Sequence, residues 1–173
     1  MAKRVKAKKL THKTTVRIKP TAPFAFDYTF HKPGHFTSGD NIWQPGIRWQ
    51  TWVWKGECLG LKFENKGTVS KSLIVLLIFS EKALSKSFTN SLVKEVEYRY
   101  NLNLDLEDFY RKFRTDKLLE PVIKRLRGMR PGHPSSLYEY LIIGIVLQNA
   151  SVRRSIQMFR ALLEHYGTLL EFY

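Results

Sequence analysis

The chain has 173 residues, and its 29 Lys and Arg against 15 Asp and Glu leave a formal charge of +14. With 43% hydrophobic and 13% aromatic residues, it has enough apolar side chain to fold, which excludes an acidic disordered tail and a metal-rich mini-domain. One cysteine, Cys58, permits no internal disulfide, and the apolar runs Leu73–Phe79 and Leu141–Leu147 fall far short of the roughly 20 residues of a membrane-spanning helix. A soluble protein of the cytoplasm is expected, with no membrane contact. So large a positive surplus strains a compact fold and asks for a polyanionic partner, nucleic acid first.

In chain order, residues 1–21 read as a mobile basic arm, because Met1 to Lys19 carries eight Lys and Arg and no acid. Aromatic and β-branched runs then predict strands over Phe24–Thr29, Ile47–Lys55, Cys58–Glu64 and Ser72–Phe79. Turns at Pro33-Gly34, Gly39-Asp40, Pro45-Gly46 and Lys66-Gly67 separate them. Alternation from Arg48 to Trp54 puts Gln50, Trp52 and Trp54 on one face and Trp49, Thr51 and Val53 on the other.

The period then changes to about 3.6 residues. A helix over Ala83–Tyr100 carries Leu84, Phe88, Leu92 and Val96 on one stripe and covers the sheet. Asp105 caps a second helix to Arg114, with Leu106, Phe109 and Phe113 as its buried side. A third, Leu118–Arg127, buries Leu118, Leu119, Val122, Ile123 and Leu126, carries Pro121 near its first turn and stops at Gly128. The rigid connection Gly128–Pro134 follows, and a capping box of Ser136 and Glu139 opens an almost wholly apolar helix, Leu137–Leu147. Gln148-Asn149-Ala150 interrupts it, Ser151 caps Val152–Tyr166, and Gly167 ends that helix. The fold class is α+β: a small antiparallel sheet with a covering helix over residues 22–104, then the first helices of an all-α unit over 105–173. A helix apolar all round needs neighbours on every side, so the chain is expected to be the front half of a longer polypeptide or one member of a split pair.

No phosphate-binding glycine loop and no serine-hydrolase elbow occurs in the sequence. His31 and His35 stand four apart in a turn region, a poor metal site. Asp105, Glu107, Asp108, Asp116 and Glu120 cluster at predicted helix starts, where capping accounts for them. No catalytic residue, metal or cofactor is therefore expected. Arg153 and Arg154 fall in the first turn of their helix, where backbone N–H groups and basic side chains together favour a phosphate, or else form a solvated helix face. Lys124, Arg125, Arg127 and Arg130 form a second basic cluster, open to a DNA backbone or to solvent. Gln148 and Asn149 either bond free backbone groups between the two helices or serve a ligand.

The segment Arg127–Gly167 resembles the helix-hairpin-helix superfamily of DNA glycosylases. In that family a G-[LM]-R-P-like connection leads to an apolar helix, a Q-x-x-S loop and a helix ending in [FY]-G. Gly128, Met129, Arg130, Pro131, Tyr138, Glu139, Ile142, Ile145, Gln148, Ser151, Tyr166 and Gly167 carry the match. More weakly, Phe24–Phe30 and the Arg48-Trp49 strand look like the TATA-binding-protein-like amino-terminal sheet of the 3-methyladenine and 8-oxoguanine types. Tyr100–Asp116 looks like the connection that follows it. The resemblance implies double-stranded DNA as partner and base-excision repair as role: hydrolysis of the N-glycosidic bond of a flipped-out alkylated or oxidised purine, in the cytoplasm beside the nucleoid. It implies that Asn149 is the duplex-inserting residue, with Gln148 bracing the loop or approaching the duplex; Ser151, Arg153, Arg154 and Arg130 are expected at the DNA beside it. In the family the helix-hairpin-helix and the catalytic aspartate lie beyond the matched segment. The chain alone is thus expected to be inactive, with those parts on a separate chain or further along this one. A non-catalytic nucleic-acid-binding protein is the alternative.

Overall fold

The computed structural model describes residues 6–31, 40–132 and 137–173. The Pro33-Gly34 turn, His35 and the Ser136 end of the expected capping box lie outside them. Strands β1 (Lys6–Lys9) and β2 (His12–Ile18), helix α1 (Phe26–Phe30), strands β3 (Asn41–Gln44), β4 (Ile47–Trp54), β5 (Glu57–Asn65) and β6 (Ile74–Ser80), and helix α2 (Lys86–Arg99) form the first part. Helices α3 (Glu107–Phe113), α4 (Leu119–Arg125), α5 (Leu137–Leu147) and α6 (Val152–Tyr166) follow, and strand β7 (Thr168–Glu171) closes the order.

Five strands make an antiparallel sheet in the order β2-β6-β5-β4-β3. Alternation buries one face: Leu59, Leu61 and Phe63 from β5 and Ile74, Leu76 and Ile78 from β6 are fully buried, under α1 and α2. On α2 the stripe holds as read, with Leu92 and Val96 buried and Leu84 and Phe88 packed at the edge. Ser85 caps the helix by accepting from the Phe88 amide at 3.1 Å. On the covered face Tyr100 donates to Gln50 Oε1 at 2.6 Å, and the buried Arg48 donates to the Phe30 carbonyl.

Two readings of the first thirty residues are corrected. Within the stretch read as a mobile arm, residues 6–18 carry β1 and β2, and β2 pairs with β6 from His12 opposite Ser80 to Ile18 opposite Ile74. Thr14, Val16 and Ile18 turn inward while Lys13, Thr15 and Arg17 stay exposed, the pattern of a charged edge strand that resists pairing with other chains. The strand expected over Phe24–Thr29 is instead the short helix α1. Phe26 and Phe30, four apart, stack at 4.5 Å and sink together into the core, a pairing that only helical spacing allows.

Helices α3 and α4 are less covered than expected. No residue of α3 or α4 is buried, and Leu118 and Val122 are largely exposed. The N-cap of α3 is Leu106 rather than the expected Asp105; Asp105 accepts from the Glu107 amide at 2.8 Å just ahead of it, and Asp116 from the Leu118 and Leu119 amides at 2.9 Å each at the start of α4. An apolar stripe becomes a core only where another element covers it, and here the cover is partial: Leu106, Phe113, Leu119, Ile123 and Leu126 are half-buried.

Candidate nucleic-acid interface

Helices α5 and α6 pack against each other, joined by Gln148–Ser151. Their seam is small: Val146, Ser155 and Phe159 are buried. Ser155 sets its hydroxyl 2.7 Å from the Val146 carbonyl and 3.1 Å from that of Ser151, which bonds the start of α6 to the end of α5. Only this side of α5 is covered, since Tyr140, Leu141 and Ile145 are each more than half exposed. The helix expected to be surrounded is one-sided among the described residues.

The elbow between the helices projects into solvent. Gln148 and Asn149 are both exposed, and the Gln148 amide donates to the Ile145 carbonyl at 3.2 Å to close the last turn of α5. Asn149 has φ 53°, a left-handed conformation that Asn tolerates better than other residues with a side chain. The chain reverses there, so the amide side chain stands at the apex. Ser151 then caps α6, its hydroxyl accepting from the Arg154 amide at 3.4 Å.

Charge accumulates on the same side. No acid lies in the first turn of α6, so its free N–H groups and the exposed Arg153 and Arg154 add to one positive end. These two arginines, Ser151, Gln157, Met158 and Ala161 line an open groove of about 490 Å³. Sequence reading missed Gln157 and Met158. Their spacing four beyond Arg153 and Arg154 was the available signal.

Arg130 does not belong to this surface, and its assignment to DNA is corrected. It is 2% exposed. Its guanidinium donates to the backbone carbonyls of Leu104, Thr21 and Pro23, and its own amide to Thr29 Oγ1 at 3.2 Å. Burial pulls its pKa below the ordinary arginine value, opposed by Tyr110 and Asp105. Gly128 precedes it at φ 85°; a Cβ there would come within 2.7 Å of the Ala25 amide nitrogen. Its own amide donates to Tyr110 Oη at 2.8 Å, and its carbonyl accepts from Ala25 at 2.8 Å. The Gly-Met-Arg connection is thus a knot between the two parts of the chain. Of the remaining basic cluster, Lys124 pairs with Glu120 at 2.7 Å and Arg127 lies over the Tyr110 ring.

Among the described residues there is no group of three or more His, Cys, Asp or Glu placed to hold a metal ion, and no helix long and apolar enough to cross a membrane. No family model matches the chain, and no curated protein matches it in sequence. Among solved structures it is similar to a 3-methyladenine DNA-glycosylase from Archaeoglobus fulgidus, with a TM-score of 0.67 and 16% identity. That match covers 87% of this chain and 50% of the other, so the chain spans half the length of that protein. At this identity the likeness is one of architecture: a five-stranded sheet with its covering helix, followed by helices, folded as in part of that glycosylase.

Proposed function

We propose that the chain is the amino-terminal part of a DNA-repair glycosylase fold and that its α5–α6 elbow is the surface that engages the duplex. The observation that carries this reading is the exposed apex at Gln148 and Asn149, set against a helix start whose charges are all positive. An enzyme that excises a base must extrude the nucleotide and fill the gap left in the stack. A short amide side chain at the tip of a rigid two-helix hairpin can enter that gap and hydrogen-bond the orphaned partner base. Gln148 braces the turn. Ser151, Arg153, Arg154 and the α6 N-terminus hold the flanking phosphates, contacts that fix register without reading sequence. The substrate class on this reading is duplex DNA with an alkylated or oxidised purine. The helix-hairpin-helix and catalytic aspartate come from sequence outside these 173 residues, whether joined to them or on a separate chain.

Fluorescence anisotropy with a short duplex tests the reading. Binding should weaken steeply with salt, as counterion release demands. Replacing Arg153 and Arg154 with Gln should flatten the log–log salt slope by about one for each phosphate left without its arginine. Asn149→Ala should leave affinity for intact duplex nearly unchanged and weaken binding to a duplex containing an abasic site. The 173 residues alone should release no base. Equal affinity of the wild-type chain for intact and abasic duplexes would favour a non-catalytic binding protein instead.

A further inference from the structure

We infer that the β1–β7 ribbon, locked by the Phe172 ring in a notch at Gly60, positions the α5–α6 elbow, so that Phe172 and Gly60 are positioning residues for the duplex contact. The inference rests on the proposed role of the elbow in duplex binding.

Helix α6 ends where the Gly167 amide donates to the Leu163 carbonyl at 2.8 Å, and the chain passes at once into β7. There it pairs in parallel with β1, Lys6 opposite Thr168 through Lys9 opposite Glu171, and the Leu10 amide extends the ladder to the Glu171 carbonyl at 2.9 Å. Since β1 leads directly into edge strand β2, these bonds tie the C-terminal end of α6 to the sheet. Phe172 completes the tie on the outer sheet face. Its ring stands 5.2 Å from that of Phe79 and so close over Gly60 that a Cβ there would meet it at 2.5 Å. Leu10, Leu77 and Phe79 are buried beside it, a second small core opposite the main one. A glycine is required here by the ring above it, because Leu59 and Leu61 on either side point into the main core.

Among the described residues, the ribbon is what ties the far end of α6 to the sheet. The buried residues Val146, Ser155 and Phe159 join α5 to α6, while Leu141 and Ile145 stay exposed. Helix α6 has 15 residues, about 22 Å from ribbon to elbow. A tilt of about 10° at the ribbon would move the apex by about 4 Å on that lever, more than a base step of the duplex.

Spin labels at Asn149→Cys on the elbow and Val53→Cys on the exposed sheet edge, in a Cys58→Ser background, report the orientation by pulsed electron paramagnetic resonance. The parent should give one narrow distance distribution. Gly60→Ala, which expels the ring, and Phe172→Ala, which removes it, should both broaden it; Phe172→Tyr should keep it narrow. Without labels, Gly60→Ala and Phe172→Ala should lose about five-fold in abasic-duplex affinity, near 1 kcal/mol, while Phe172→Tyr keeps it. The urea midpoint of the tryptophan signal checks that the main core survives. An unchanged distance distribution in Phe172→Ala overturns the proposal, as does a broadened one with duplex affinity intact. If the wild-type chain binds no duplex, the functional reading fails by itself, and the distance distributions still decide whether the ribbon orients the hairpin.

Discussion

Two residues in the Gly-Met-Arg connection show how a side chain can be misread from its neighbours. In the sequence Arg130 stands among Lys124, Arg125 and Arg127, a run indistinguishable from a solvated basic patch. Three backbone carbonyls converge on its guanidinium, a long-range arrangement with no local signature. Arg130→Met should cost about 2–4 kcal/mol in urea unfolding, because it leaves buried carbonyls unpaired. The folded variant should bind duplex with an unchanged salt slope. A flattened slope at unchanged stability would return Arg130 to the DNA surface. Gly128 reads as a helix stop, and its φ of 85° agrees with a glycine requirement. Its larger demand is the backbone of Phe24 and Ala25 pressed against it, again a contact from far along the chain. Gly128→Ala should lose more than about 1 kcal/mol, measured in the same way.

At the scale of elements, legibility follows a clear hydrophobic period or a punctuating residue, and α5 and α6 match their expected bounds although little of them is buried. Strands β4, β5 and β6 and helix α2 are legible to within a few residues, since each alternates or repeats against one continuous core. Edge strand β2 reads as an arm because its outward positions are charged, and only three inward side chains reveal it. Short α1 reads as a strand because its aromatics suit either state, and the four-residue spacing of Phe26 and Phe30 is the cue to the helix. Element-level electrostatics is also testable. On β5, Glu64 pairs with Lys62 at 2.6 Å and Lys66 at 2.9 Å, and these hydrogen bonds hold its carboxyl below the usual glutamate range. A carboxyl with a lowered folded pKa stabilises above its unfolded value, and the contribution disappears as pH falls through the folded one. Glu64→Gln should thus be less stable than wild type by under about 1 kcal/mol near neutrality. The gap should close below about pH 4, as thermal melts across pH will show; a gap that widens in acid would contradict the pairing. In the hairpin, Ser155→Ala removes the hydroxyl placed on the Val146 carbonyl. It should cost about 1 kcal/mol by urea unfolding.

For the molecule as a whole, the α+β class and the order of sheet before helices are legible, because the hydrophobic period changes once, after Phe79. The closure is not: β7 returning to β1, and Phe172 reaching Gly60, depend on pairings between distant parts of the chain. Composition points to a polyanion, and the positive end of α6 gives that charge a place. The Gln148–Asn149 apex is legible only through the pattern around it, for a polar pair between two apolar helices has an ordinary structural use as well. Amide NMR of the labelled chain, titrated with a short duplex bearing one abasic site, examines that apex without altering a residue. Insertion of the elbow predicts the largest shifts at residues 148–154, with the outer face of the sheet nearly silent. Shifts concentrated on β2 and the sheet, with 148–154 unmoved, would contradict it.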